Sequence, residues 1–460
     1  MNKALYKIVG GAVMTGLIAG LVTGCSGSNN NASNTPSASP AGSAAPSASA
    51  SAPASQEVAQ FPTDNVELSF YYPFGEDTFN TTIKAPLEAK YPNIKLNFVD
   101  KMNDEDISQG IVPDIMYLQG ITKIDEDLMP KKLEFDLQPF IDKYGIDLSQ
   151  IQPNLIKDIN RRDGKLYGMP YMMIPDALFY NKDIFDKLGV EYPRDSMTWD
   201  EIVDLAKQVT RNEGGVQYRG LDFDYPFTLL DQYKRDVPDT VEPTFSTLNK
   251  EVYQQWMDRV KTILSIPGNY PSDPQERSGK MLMWGSAFLN DKNVAMYPYW
   301  DFTRNLADAV DQGAGFNWDL VSYPQLPENP GVAPTPFTHV LTVSPVSKYP
   351  DASVQVLSYL ISEDYQTLLS KKAWGGPILT NPAIQDAYAT EDPRFAGKNM
   401  KAMFAYPPAD PSTKPPVRNF EFDILWNGVY DLAKMEKDTN TLLTEWQDQA
   451  AKKIQENSGK

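Results

Sequence analysis

Groups able to do covalent or metal chemistry are few in this chain. It holds one cysteine, Cys25, and one histidine, His339, in 460 residues. No His/Cys metal cluster can be built from that pair. No G-x-S-x-G surrounds a serine, and no Gly-rich loop ends in Lys-Ser/Thr to cradle phosphates. A Ser-His triad would need His339, which lies in Phe337-Thr338-His339-Val340-Leu341-Thr342-Val343, a segment that reads as a strand. Asp222 and Asp224 alternate, but no glycine or distal glutamate completes a calcium loop. No metal, cofactor or catalytic residue is expected. The formal net charge of −18 leaves no electrostatic footprint for nucleic acid.

Cys25 has a different use. Lys3 and Lys7 precede a 16-residue uncharged run from Ile8 to Thr23, and Leu21-Val22-Thr23-Gly24-Cys25 closes it. A basic end, an apolar middle and small residues before a cut make a secretory signal. The run is shorter than the ~20 residues a membrane-spanning helix needs. It resembles the lipobox of bacterial lipoproteins, with Val22 where leucine is preferred. The resemblance implies removal of residues 1–24 and acylation of Cys25, which places the chain on the extracellular face of the cytoplasmic membrane. Residues 25–57 follow as a Ser/Ala/Pro tether. Its stretch from Ser26 to Gln56 has no charge and no aromatic ring, so it cannot bury enough apolar surface to order itself. As a flexible coil it would reach about 30 Å.

The remaining residues, about 400, form two or three domains by length. Val66 to Tyr72 alternates apolar and polar residues and reads as a strand. A helix over about Asp77 to Lys90, a strand over Ile94 to Val99, and a strand over Pro113 to Leu118 make a βαβ unit in a largely parallel sheet. Ligands on such sheets bind beyond the carboxyl ends of the strands. That rule picks out Tyr72, Phe74, Glu76, Asp77 and Gln119. Strand neighbours face opposite ways, and Tyr72 rather than Tyr71 is expected at the ligand. Farther on, Asp176 to Tyr180 reads as a strand. Thr198-Trp199-Asp200-Glu201 has capping-box spacing before an apolar helical stripe. Asn293 to Tyr297, Trp318 to Pro324 and Phe337 to Val343 read as strands, Asp351 to Ser362 as a helix, and about Glu421 to Gln455 as helical.

Three stretches in this order carry a resemblance. One is Tyr167-Gly168-Met169-Pro170, then Leu178-Phe179-Tyr180-Asn181-Lys182-Asp183 through Val190, then Thr198-Trp199-Asp200-Glu201. A second is Val294-Ala295-Met296 leading to Trp300. A third is Val343 to Ala352, with Gly375-Gly376-Pro377 after the helix. The chain resembles the extracellular sugar-binding proteins of ABC importers, the family of maltose-binding protein. The resemblance implies an α/β fold with two periplasmic-binding-protein lobes and a ligand cleft between them. Residues 58–170 plus 336–385 would form one lobe, and 171–335 plus 386–460 the other. It also implies closure on a solute, delivery to ABC permease transmembrane subunits, a monomer, and no enzymatic activity.

Sugars present apolar ring faces and a rim of hydroxyls, which aromatic rings and Asp, Glu, Asn or Arg can match. Carried across residue by residue, the family pattern implies ligand contacts from Tyr72, Glu76 and Asp77, from Tyr171 and Asp176, from Asp224 and Tyr225, from Trp300 and Asp301, and from Trp374 and Trp426. Trp199 and Trp256 lie on helical faces and are expected to pack. Arginines in the cleft, from Arg161, Arg219, Arg304 and Arg418, would favour uronic acids. Two alternatives stand beside an oligosaccharide: another solute such as a peptide, and a secreted glycoside hydrolase with two carboxylates about 5 to 10 Å apart.

Overall fold

The structure is a computed structural model. It describes residues 58–159, 164–233, 250–410 and 418–457. Cys25, the signal and the tether lie outside the described residues, as does Arg161.

Two five-stranded sheets organise the body Gln60–Lys460. In the first, β1 (Val66–Tyr71) is flanked by β2 (Ile94–Val99) and β3 (Ile115–Leu118), both parallel to it. A helical segment covers Glu76 to Lys90 between β1 and β2, with a π-helical turn at Asn80–Lys84. Beyond β3 the sheet is antiparallel. The strands there are β4 (Met169–Ile174) and β10 (Phe337–Val343), in the order β2-β1-β3-β10-β4. The expected parallel sheet therefore holds for three strands only. β10 arrives from the other sheet, so it runs back against β3.

The second sheet has the order β6-β7-β8-β5-β9. Its strands are β5 (Asp176–Asn181), β6 (Arg211–Glu213), β7 (Val216–Leu221), β8 (Val294–Trp300) and β9 (Trp318–Ser322). β5 is antiparallel to β8 and β9, while β7 is parallel to β8. The capping box forms as read: Thr198 and Glu201 exchange hydrogen bonds at the start of helix Trp199–Val209, which buries Trp199, Ile202, Val203, Leu205, Ala206 and Val209. Gly220 of β7 lets this helix sit close, since a Cβ there would collide with the Ala206 backbone. Trp199, Trp256, Trp318 and Trp446 are fully buried in the core on this sheet.

Among the described residues the chain passes between the two lobes three times. β4 stays in the first sheet through Ile174, so the first crossing falls at Pro175, not at residue 170. The return lies between Ser322 and Phe337. The last follows Thr380, still bonded to Gln150 O in the first lobe, and reaches the second lobe's core at Tyr388. The helices Arg418–Lys434 and Thr439–Asn457 then pack on each other and on helix Lys250–Leu264.

Candidate functional site

The strand ends nearest the crossings gather aromatic rings. β10 opens with Phe337, paired in register with Ile174 at the end of β4. β8 closes with Trp300, paired with Asp176 at the start of β5. Trp300 and Phe337 face each other at 5.5 Å between ring centroids, so rings of the two sheets touch at the point of crossing.

On the second lobe, residues 222–225 leave β7 in a clamped conformation. Asp222 accepts hydrogen bonds from Arg219 Nη2 and Tyr270 OH, both at 2.9 Å. The clamp presents Tyr225, whose ring lies 5.0 Å from Trp300, 5.3 Å from Trp284 and 6.3 Å from Trp426. Trp426 stacks on Phe227 at 11° and lies 5.6 Å from Trp284. Trp300 and Trp426 are half-buried, and Trp284 is 40 % exposed. Trp284, which the sequence leaves undecided between packing and ligand, is carried there by a left-handed backbone in a turn.

Beside the rings lies Asp176. It is buried, and neither carboxylate oxygen has a hydrogen-bond partner. Burial, and then the nearby Asp231, push its carboxyl well above the usual range. A buried polar group without a partner is costly, so it marks a place where a partner is expected to arrive. Asp224 is also buried, but it faces inward. Its carboxylate accepts the Gly285 N–H at 3.1 Å, and burial plus Asp222 push its acid up to about 7.

On the first lobe, Tyr72 is buried and Tyr71 half-buried. Tyr72 lies edge-on to Phe74 and Tyr117, at 5.4 and 5.1 Å, and burial pushes its phenol up to about 12. Phe74 and Phe337 both meet the His339 ring, at 5.9 and 5.2 Å. His339 is buried and pushed down to about 3, so the ring is neutral. A continuous run of ring contacts thus leads from Tyr72 through Phe74, His339 and Phe337 to Trp300 and Tyr225.

The other expected contacts have these surroundings. Tyr171 is held inside the first lobe: Tyr365 OH donates to Thr82 O, so the 2.8 Å bond between the two phenols is donated by Tyr171. The two oxygens of Asp301 accept from Thr303 and from the Tyr388 hydroxyl. Glu76 and Asp77 are exposed at a helix start, where the helix dipole favours acids. Trp374 is half-buried beside Ala373, whose carbonyl accepts from Arg304 Nη2 of the other lobe at 2.6 Å. Arg219 is occupied by Asp222. Among the described residues no three His, Cys, Asp or Glu side chains could hold a metal, and no helix is long and apolar enough to cross a membrane.

Two α/β lobes, three crossings and an aromatic site at the crossing strands define a two-lobed binding-protein fold. Residues 65–367 match the bacterial extracellular solute-binding protein family, and the chain belongs to it. Among solved structures, a sugar transporter from Rhizobium etli in an open conformation has a TM-score of 0.68 at 21 % identity, covering 83 % of this chain and 98 % of that one. An ABC substrate-binding protein from Listeria monocytogenes in complex with cycloalternan has a TM-score of 0.61 at 20 % identity, covering 85 % and 99 %. An arabinooligosaccharide-binding protein from Halalkalibacterium halodurans is 29 % identical over 204 residues, 42 % of this chain and 40 % of that protein. An sn-glycerol-3-phosphate-binding periplasmic protein from Brucella abortus is 33 % identical over 66 residues, 14 % of this chain and 15 % of that protein. The chain thus aligns with less than half the length of these curated relatives.

Proposed function

We propose that this protein captures a neutral oligosaccharide between its lobes and delivers it to the transmembrane subunits of an ABC importer, without catalysis. In this reading a lipid on Cys25 holds it at the outer face of the membrane. The observation that carries the sugar reading is the row of half-exposed rings beside the unpartnered Asp176. Ring faces stack on Trp300 and Trp426, which pack around the buried Tyr225, and a sugar hydroxyl satisfies Asp176. The names of similar proteins point the same way, with cycloalternan, mannotriose and arabinooligosaccharide among their ligands. Closure follows if sugar contacts from both lobes exist only in the closed form.

The likeness to a glycerol-3-phosphate-binding protein raises an anionic alternative. A phosphate would lie beside the buried acid Asp176, and Arg219 already serves Asp222. Those neighbours disfavour it. The test is a thermal-shift screen of the full chain against neutral oligosaccharides, uronic acids, sn-glycerol 3-phosphate and short peptides. A ligand bound only by the native state raises the melting temperature. A shift for a neutral oligosaccharide is expected. Shifts only for phosphates or peptides would sink the sugar reading.

A further inference from the structure

Trp284 stands on an unusual backbone. Leu282 (φ 55) and Trp284 (φ 56) are both left-handed, a conformation side chains avoid, and Gly285 (φ 70) follows. A Cβ on Gly285 would strike the Tyr297 ring. One residue holds this loop at both ends. The Asp224 carbonyl accepts the Leu282 N–H at 2.7 Å, and the Asp224 carboxylate accepts the Gly285 N–H at 3.1 Å. The result is a large aromatic side chain left 40 % exposed beside Tyr225 and Trp426. Core packing would bury such a side chain rather than hold it partly exposed on a left-handed backbone.

Resting on the sugar reading above, we infer that Trp284 is a stacking platform for a neutral sugar ring, and that Asp224 is a positioning residue that holds it without touching the ligand. The occupant is a pyranose or furanose ring. Its apolar face suits the indole, and its hydroxyl rim is uncharged beside the buried acids of this lobe. Trp284 and Trp300 both lie on Tyr225, which gives two adjacent ring positions and suits a ligand of more than one sugar.

The experiment titrates the full chain with maltotriose, mannotriose, cellotriose and arabinotriose by calorimetry, alongside Trp284→Ala, Trp284→Phe, Asp224→Ala, Asp224→Asn and Trp300→Ala. Melting temperatures check that each variant folds. For the trisaccharide the parent binds, Trp284→Ala is expected to weaken affinity at least about tenfold, as truncating an aromatic anchor does. Trp284→Phe keeps most of it. Asp224→Ala weakens binding, and Asp224→Asn restores it, because its amide oxygen still accepts the Gly285 N–H. Acrylamide quenching of Trp284, taken as each chain minus its Trp284→Phe form, rises in Asp224→Ala without any sugar present. Unchanged affinity in Trp284→Ala, with a loss in Trp300→Ala, would overturn this inference and leave the sugar reading standing. No binding of any trisaccharide by the parent would overturn both. Unchanged quenching and affinity in Asp224→Ala would overturn the role of Asp224.

Discussion

Asp224 favours its protonated form, which fixes the sign of a pH effect. Below about pH 4 the folded and unfolded chains both carry the proton, and the group favours neither. Between about 4 and 7 the folded chain keeps the proton and the unfolded chain has lost it. Stability therefore falls as pH rises through this window, by about 1.4 kcal/mol per unit for one group. The groups facing Asp224 are Asp222, Arg219, Tyr270 and Tyr297, and only Asp222 is another carboxylate. Thermal melts from pH 4 to 7 should show Asp224→Asn gaining on the parent as pH rises. A constant gap would refute the account. His339 acts oppositely, because its neutral burial loses stability as pH falls below about 6.5, so the comparison must be between variants. Trp300 carries a second prediction. It is half-buried, so Trp300→Ala should cost less stability than the 3–5 kcal/mol of a buried tryptophan, yet weaken sugar binding at least about tenfold. Calorimetry and melts together separate the two effects. Among the expected site residues, Asp176 and Trp300 stand at the ends of β5 and β8, and Tyr225 from the segment after β7 and Trp426 from helix Arg418–Lys434 join them. The place of Tyr171 was not readable from pattern. Its fate depends on Tyr365, 194 residues later, and a single strand pattern does not say which face another element will cover.

Elements decide how rigidly those residues are held. Trp426 rides on helix Arg418–Lys434, and Gly428 of that helix lets Trp446 of the next helix approach, since a Cβ there would collide with the indole. Gly428→Ala should destabilise by about 1–3 kcal/mol through overpacking, and should also weaken sugar binding by shifting Trp426. Thr198→Ala makes the control. It removes the capping box at the start of helix Trp199–Val209, outside the ring cluster of Trp284, Trp300 and Trp426, and should cost about 1 kcal/mol with unchanged affinity. If Gly428→Ala lowered the melting temperature but left affinity intact, Trp426 would not contact ligand. β2 and β10 were legible to the residue, because Ile94-Lys95-Leu96-Asn97-Phe98 alternates apolar and polar residues and Phe337–Val343 is rich in aromatic and β-branched residues. β7 was not. Val216-Gln217-Tyr218-Arg219 alternates for only four residues before Gly220, which answers to Ala206 packing, while Arg219 answers to Asp222. β4 was hidden for a related reason. In the sequence Met169-Pro170 stands only ahead of the strand expected at Asp176, and pairing with β10 makes Met169–Ile174 a strand.

For the whole molecule, the decisive feature is where the site lies relative to the crossings. Asp176, Trp300 and Phe337 sit at strand ends beside Pro175 and the return segment, so in the proposed reading a sugar bound there touches the segments that join the lobes. Trp284 and Trp426 belong to the second lobe, and in the proposed closure they approach the first lobe's surface as the lobes rotate about those strands. Ligand contacts that exist in one arrangement of the lobes shift the population toward it. Small-angle scattering of the full chain should therefore show a smaller radius of gyration with a bound trisaccharide. Phe337→Ala should bind more weakly, because it removes the first lobe's ring from the hinge contact. The formal charge of −18 adds a constraint that separates ligand classes. An anionic solute would be repelled at low ionic strength and would bind better as salt screens the field. A neutral sugar feels no such field, so its affinity should be the same within about twofold between low and high salt. Titrations at both ionic strengths settle which class the cleft takes: a salt-insensitive affinity agrees with uncharged hydroxyls on Asp176, and a steep rise with salt would point to a charged ligand.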